Sequence, residues 1–179
     1  IIKGQALAYR AWGHFNLVQL WGDRFVKGTP NAGPGVPLLT TNSLEGQARA
    51  TIAEVYAQVN KDLDEALALL ANYTRSGDPA TLKSFLNNNV VHGIKARVAM
   101  AQQEYDIAAT NAIAARQGHP LMTNAEYTAG FNSCAVGEWI WGSNQIVDHN
   151  TFFWSFFANM GCNFNGTNTR TQPKAINSA

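Results

Sequence analysis

The chemistry this sequence offers most plainly lies between positions 148 and 168, in Asp148, His149, Asn150, Trp154, Asn159, Asn163, Asn165 and Asn168. A sugar ring has an apolar C–H face and an edge of hydroxyls. Flat aromatic rings meet the first; Asn, Asp and Gln, which donate and accept or accept twice, meet the second. Trp154, Asp148, Asn150 and Asn163 are therefore the candidate ligand-binding residues. Trp154 stands out because Trp is seldom fully buried and carries an N–H to satisfy. Its neighbours Phe152, Phe153, Phe156 and Phe157 read instead as residues that pack on helices.

Bond-breaking chemistry is harder to find. The sequence contains no G-x-S-x-G, H-E-x-x-H, P-loop or G-x-G-x-x-G pattern. His14, His92, His119 and His149 share no ligand spacing, and His14 and His92 read as structural residues on helices. Asp62, Asp64 and Glu65 are expected on the solvated side of a helix rather than as a glycosidase acid/base pair. Cys134 and Cys162 stand 28 residues apart, which fits no metal motif. A disulfide in an exported parent and two unpaired buried thiols are both open to them. No catalytic residue, metal or cofactor is expected, so the chain is read as a non-enzyme.

Composition narrows the classes further. At 179 residues the chain is one domain with room for a core, and 46% apolar content is near the soluble average. A net charge of +1 with scattered Lys and Arg carries no nucleic-acid footprint. No apolar run is long enough to span a bilayer.

The elements that must position any site are helical. Residues 51–70 place Ile52, Val55, Val59, Leu63, Ala66 and Leu70 on one stripe, and Thr51 with Glu54 forms a T-x-x-E capping box. Residues 2–20 repeat the pattern with Leu7, Ala11, Phe15 and Val18, and Gly22 stops the helix. A third helix is predicted over 84–101, with Val91, Ile94 and Val98 on one face. A fourth is predicted over 104–116, with Tyr105, Ala108, Ala109, Ala112 and Ile113 facing inward, ended by Gly118 and Pro120. Small residues (Ala96, Ala99, Ala108, Ala112) beside a turn of two or three residues follow the logic of a tetratricopeptide hairpin. The first two helices form a similar hairpin with a stretched loop, and stacked hairpins bury a shared face. That loop, 22–50, reads as a surface excursion packed by Phe25, Val26, Val36, Leu38 and Leu39, or as a binding loop. From His119 onward helical periodicity fades and Asn and aromatic residues dominate. Trp139-Ile140-Trp141 suits a short strand or extended segment. The expected fold is mainly all-α: tetratricopeptide-like hairpins over 1–118 and an irregular, loop-rich segment over 119–179.

Four segments resemble the SusD/RagB family, in family order over about 4–142. The first is Gly4-Gln5-Ala6, Arg10, Phe15-Asn16-Leu17-Val18 and Leu20-Trp21-Gly22-Asp23. The second is Thr51, Glu54-Val55-Tyr56, Val59, Asp62-Leu63, Ala66 and Leu70. The third spans 93–112, and the fourth is Glu138-Trp139-Ile140-Trp141. Gln5 stands where members usually have Glu, and Gln103 where Gly is usual. The resemblance implies a non-catalytic protein of the Bacteroidetes outer membrane, surface-exposed and lipid-anchored. It would capture glycan (in some members, peptide) and hand it to a TonB-dependent transporter of the SusC type. It also implies a site built from loops outside the helical scaffold; Trp139 and Trp141 match scaffold and are not site candidates. Members are much longer and begin with a lipoprotein signal and a lipid-bearing Cys. This chain opens at Ile1 straight into a helix without a signal peptide and closes on TRTQPKAINSA, so it is expected to be an internal fragment of one domain. A rival reading is a tetratricopeptide scaffold for protein partners, which should continue into further helical pairs. A glycoside hydrolase would need two opposed carboxylates in a cleft.

Overall fold

Thr51 opens its helix as the capping box predicts. Its side chain accepts from the Glu54 amide at 3.3 Å, and the Glu54 carboxylate accepts from the Thr51 amide at 2.8 Å. The Thr51 amide and hydroxyl both donate to the Glu54 carboxylate, at 2.8 Å each, and hold it below its ordinary range, the backbone bond most strongly. The next two orphan amides, of Ile52 and Ala53, donate to the Gly33 and Asn31 carbonyls at 3.0 Å each. The long loop therefore finishes the helix that comes after it.

The structure is a computed structural model that describes residues 1–42, 44–130 and 134–144. Ile1–Ser143 form one compact unit. Its elements are α1 (Ile2–Trp21), α2 (Ile52–Leu70), α3 (Pro79–Leu82), α4 (Asn88–Ala101), α5 (Tyr105–Arg116) and α6 (Asn124–Thr128). Among the described residues there is no strand, only an isolated antiparallel bridge between Pro34 and Thr51. The fold is all-α.

α1 and α2 run antiparallel, as Arg10 meets Asp62 and Phe15 meets Tyr56. At their far end Gly4 lets the helices close: a Cβ there would lie 2.9 Å from Leu70 Cγ. α4 and α5 form the second hairpin, and α4 lies against α2. One core joins Leu7, Phe15 and Val18 of α1, Val55, Val59 and Leu63 of α2, and Val91, Ile94 and Val98 of α4, with Val36 and Leu86 from the connections. Each fully buried Leu or Val contributes on the order of 2 kcal/mol against leaving it in water. Gly22 ends α1 in an extended conformation rather than the left-handed one common at helix ends. Glycine is needed there for space, since a Cβ would sit 2.7 Å from the Val18 carbonyl oxygen.

Several expectations are corrected. The predicted helix over 84–101 begins only at Asn88, where the Asn87 side chain accepts from the Val90 amide. Before it, Asp78 caps the one-turn α3. The inward face of α5 is Ala108, Asn111 and Ala115, whereas Tyr105 is 61% and Ile113 74% exposed and Ala109 and Ala112 also face solvent. A close helix contact admits small side chains, and Asn111 takes an inner position by pairing with His92 Nδ1 at 2.8 Å. Trp139-Ile140-Trp141 forms no strand; it bends, held by bonds from Arg75 to the Ile140 carbonyl and from the Gly142 amide to the Lys83 carbonyl. α6 was not predicted, although Thr123 and Glu126 repeat the capping box of α2.

Loop 22–50 is a packed surface excursion. Val36 is buried and Phe25 and Leu38 are half-buried, while Val26 and Leu39 are exposed. Gly35 lets it approach the start of α2, since a Cβ there would meet the Ala50 oxygen at 2.8 Å.

Candidate functional site

Asp62 departs furthest from expectation. It is 1% exposed, not solvated like Asp64. Arg10 of α1 grips it in a fork, Nε to Oδ2 at 2.7 Å and Nη2 to Oδ1 at 2.6 Å. Gln58, one turn earlier on α2, donates to Oδ1 at 2.7 Å. Pairing with Asp62 raises the Arg10 guanidinium above its ordinary value. Arg10 also donates to the Thr40 carbonyl at 2.9 Å, and the Leu39 amide donates to His14 Nε2 at 3.3 Å. An Nε2 that accepts belongs to a neutral ring, and burial pushes the His14 pKa down, so the imidazole holds the loop as an acceptor. Arg10, His14 and Asp62 together pin residues 39 and 40 to the α1/α2 hairpin. With its acid so occupied, this cluster positions the loop.

The remaining histidines of the unit also serve structure. His92 ties α4 to α5 through Asn111, and His119 Nδ1 lies 2.9 Å from the Gly137 carbonyl oxygen. Among the described residues no group of His, Cys, Asp and Glu could hold a metal ion. Cys134 is a free, half-buried thiol.

An aromatic cluster covers the outer side of the core. Trp12 and Trp141 meet edge to face with centroids 5.9 Å apart, and Tyr9 meets Trp141 at 6.1 Å. The Arg97 guanidinium lies 5.1 Å from the Trp12 ring centre. These rings are engaged with one another, which suits Trp141 as scaffold.

Two grooves between these elements face solvent. The first, about 570 Å³, is lined by Leu38, Arg49, Glu54, Gln58 and Lys61 among others. Most of its polar groups have other duties: Arg49 donates to the Gly35 carbonyl at 2.6 Å and to that of Trp21, Glu54 caps α2, and Gln58 serves Asp62. The second, about 460 Å³, lies at the end of α1 and is lined by Gln19, Asp23, Arg24, Phe25, Tyr56 and Met100 among others. Sequence reasoning passed over it because its residues come from α1, α2, α4 and the loop. Trp154, Asp148, Asn150, Asn163 and Cys162 lie outside the described residues.

Residues 1–99 match a SusD-like family described as starch-binding and associating with the outer membrane. The chain belongs to the SusD-like family. This SusD-like chain is similar to a solved SusD-like carbohydrate binding protein from Bacteroides vulgatus, with 35% identity and a TM-score of 0.69 over 83% of this chain and 31% of that one. A SusD superfamily protein from Bacteroides thetaiotaomicron shows 29% identity and a TM-score of 0.59 over 70% of this chain and 27% of the other. A second Bacteroides vulgatus structure, described as a sugar binding protein, shows 27% identity and a TM-score of 0.64 over 77% and 32%. The chain thus spans roughly a third of the length of each. No curated protein matches it.

Proposed function

We propose that this protein is the helical platform of a carbohydrate-binding SusD-like protein, and that it binds glycan without breaking a bond. Family membership over residues 1–99 carries the reading, supported by its 35% identity to a SusD-like carbohydrate binding protein. The α1/α2 and α4/α5 hairpins hold surrounding segments in place, as Arg10, His14 and Asp62 hold loop residues 39 and 40. Ligand capture falls to residues mounted around the hairpins. The proposed set after position 144 is Trp154, Asp148, Asn150 and Asn163, chosen for an aromatic face beside carboxylate and amide edges. In the full-length parent the protein is surface-exposed and lipid-anchored at the outer membrane. There it passes glycan, or in some members peptide, to a SusC-like TonB-dependent transporter.

Isothermal titration against a panel of oligosaccharides, run beside an assay for cleaved product, tests the reading. Binding without product is expected, with Trp154→Ala weakening it roughly tenfold or more. Released product would remove the non-catalytic reading. Binding of an extended peptide with no sugar bound would favour a tetratricopeptide scaffold or a peptide-importing relative.

A further inference from the structure

The groove at the end of α1 differs from its neighbour in having uncommitted polar groups. Asp23 and Arg24 are both exposed at its rim, and neither side chain has a hydrogen-bond or ion-pair partner among the described residues. Its wall is apolar and partly aromatic: half-buried Phe25 leans on Tyr56 with centroids 5.0 Å apart, and Met100 is 56% exposed. Gln19 lies beside them. The loop holds the Asp23 backbone and leaves space for its carboxylate. The Asp23 amide donates to the Pro34 carbonyl at 3.3 Å, and the missing side chain of Gly33 leaves it room: a Cβ there would lie 2.6 Å from Asp23 Oδ2.

A carboxylate accepts from two neighbouring hydroxyls at once, a guanidinium donates to hydroxyl oxygens, and an aromatic and thioether wall covers a C–H face. One negative and one positive charge at the rim favour a neutral ligand. A groove of about 460 Å³ is within the ordinary range for small-ligand sites. We propose that this groove is a sugar-contact site. It takes one ring of a neutral glycan, with vicinal hydroxyls on Asp23, an oxygen on Arg24 and the C–H face against Phe25 and Met100. The site rests on the glycan-binding reading but uses none of the residues after position 144.

Amide chemical shifts of the ¹⁵N-labelled chain, followed while maltoheptaose, mannohexaose and xylohexaose are added in turn, test it. At least one sugar is expected to shift the amides of residues 22–25 and of Met100 and Ala101. Asp23→Ala and Arg24→Ala should each weaken that response roughly tenfold, the loss of one charge-assisted bond. Gly33→Ala should weaken it too, by moving the carboxylate without removing it. Unchanged thermal melting would show that the variants keep the fold. Shifts confined to other residues would remove this groove while leaving glycan binding intact. No shift with any of the sugars would remove both. A response at residues 22–25 that survives both alanine variants would also overturn the assignment.

Discussion

Arg10 is 30% exposed on its side chain and Asp62 only 1%, and that imbalance decides what each substitution costs. Arg10→Ala leaves a carboxylate in the core with Gln58 as its remaining donor. The expected loss is about 3 kcal/mol, the low end for breaking a buried pair because Arg10 is partly in water. Arg10→Met with Asp62→Leu removes both charges at similar volume and should restore most of that loss. Urea unfolding of the two variants checks this; equal destabilisation by single and double variants would contradict it. Both residues were visible in the sequence as members of the family-like segments, yet their pairing was not. Asp62 sits one position before Leu63 on the apolar stripe, where local rules assign a charge to solvent. The partner that makes burial tolerable lies 52 residues upstream, beyond the reach of any helical periodicity. The groove at Asp23 was hidden for the same reason.

Gln103 shows what one residue does to the joint between elements. It takes φ +62 in the turn between α4 and α5, a conformation that suits glycine. In exchange its side chain accepts from the Lys27 amide at 2.9 Å, and Lys27 Nζ reaches Glu104 at 2.7 Å, so the turn anchors the long loop. Gln103→Gly should relieve about 1 kcal/mol of backbone strain and release that anchor. Hydrogen exchange at the Lys27 amide should then quicken roughly fivefold, the loss of one net hydrogen bond; unchanged exchange would contradict the anchoring role. The Gln5 amide donates to the Leu86 carbonyl at 3.0 Å, which an ionised Glu cannot do. At this scale the sequence was most legible where the signal is local: the cap at Thr51, the stripes of α1 and α2, the stop at Gly118 with φ +80. It misled at α5, where a face of alanines gives periodicity little to separate, and the inner position went to Asn111 because His92 could pair with it.

Across the whole unit, the core draws on α1, α2 and α4, and no residue of α5 belongs to it. α5 is held to α4 by Ala108 and Ala115, which bury little surface, by the Asn111–His92 bond and by Asn89, which donates to the Ala115 and Gln117 carbonyls. Native-state hydrogen exchange should therefore find α5 amides opening more readily than those in the middle of α2. Equal protection along both helices would mean the two hairpins open only together. All-α architecture and paired hairpins were expected from the sequence, and the match over residues 1–99 falls on their first three long helices.

The close approach of Gly4 to Leu70 acts together with the Arg10–Asp62 fork. Between them they fix the sliding register of α1 on α2 from inside the interface. The stretch around Leu44 and Gly46 should therefore tolerate a change of length, since Leu44 is fully exposed and a Cβ on Gly46 would touch nothing. The same stretch offers a place to graft a peptide tag without moving either helix.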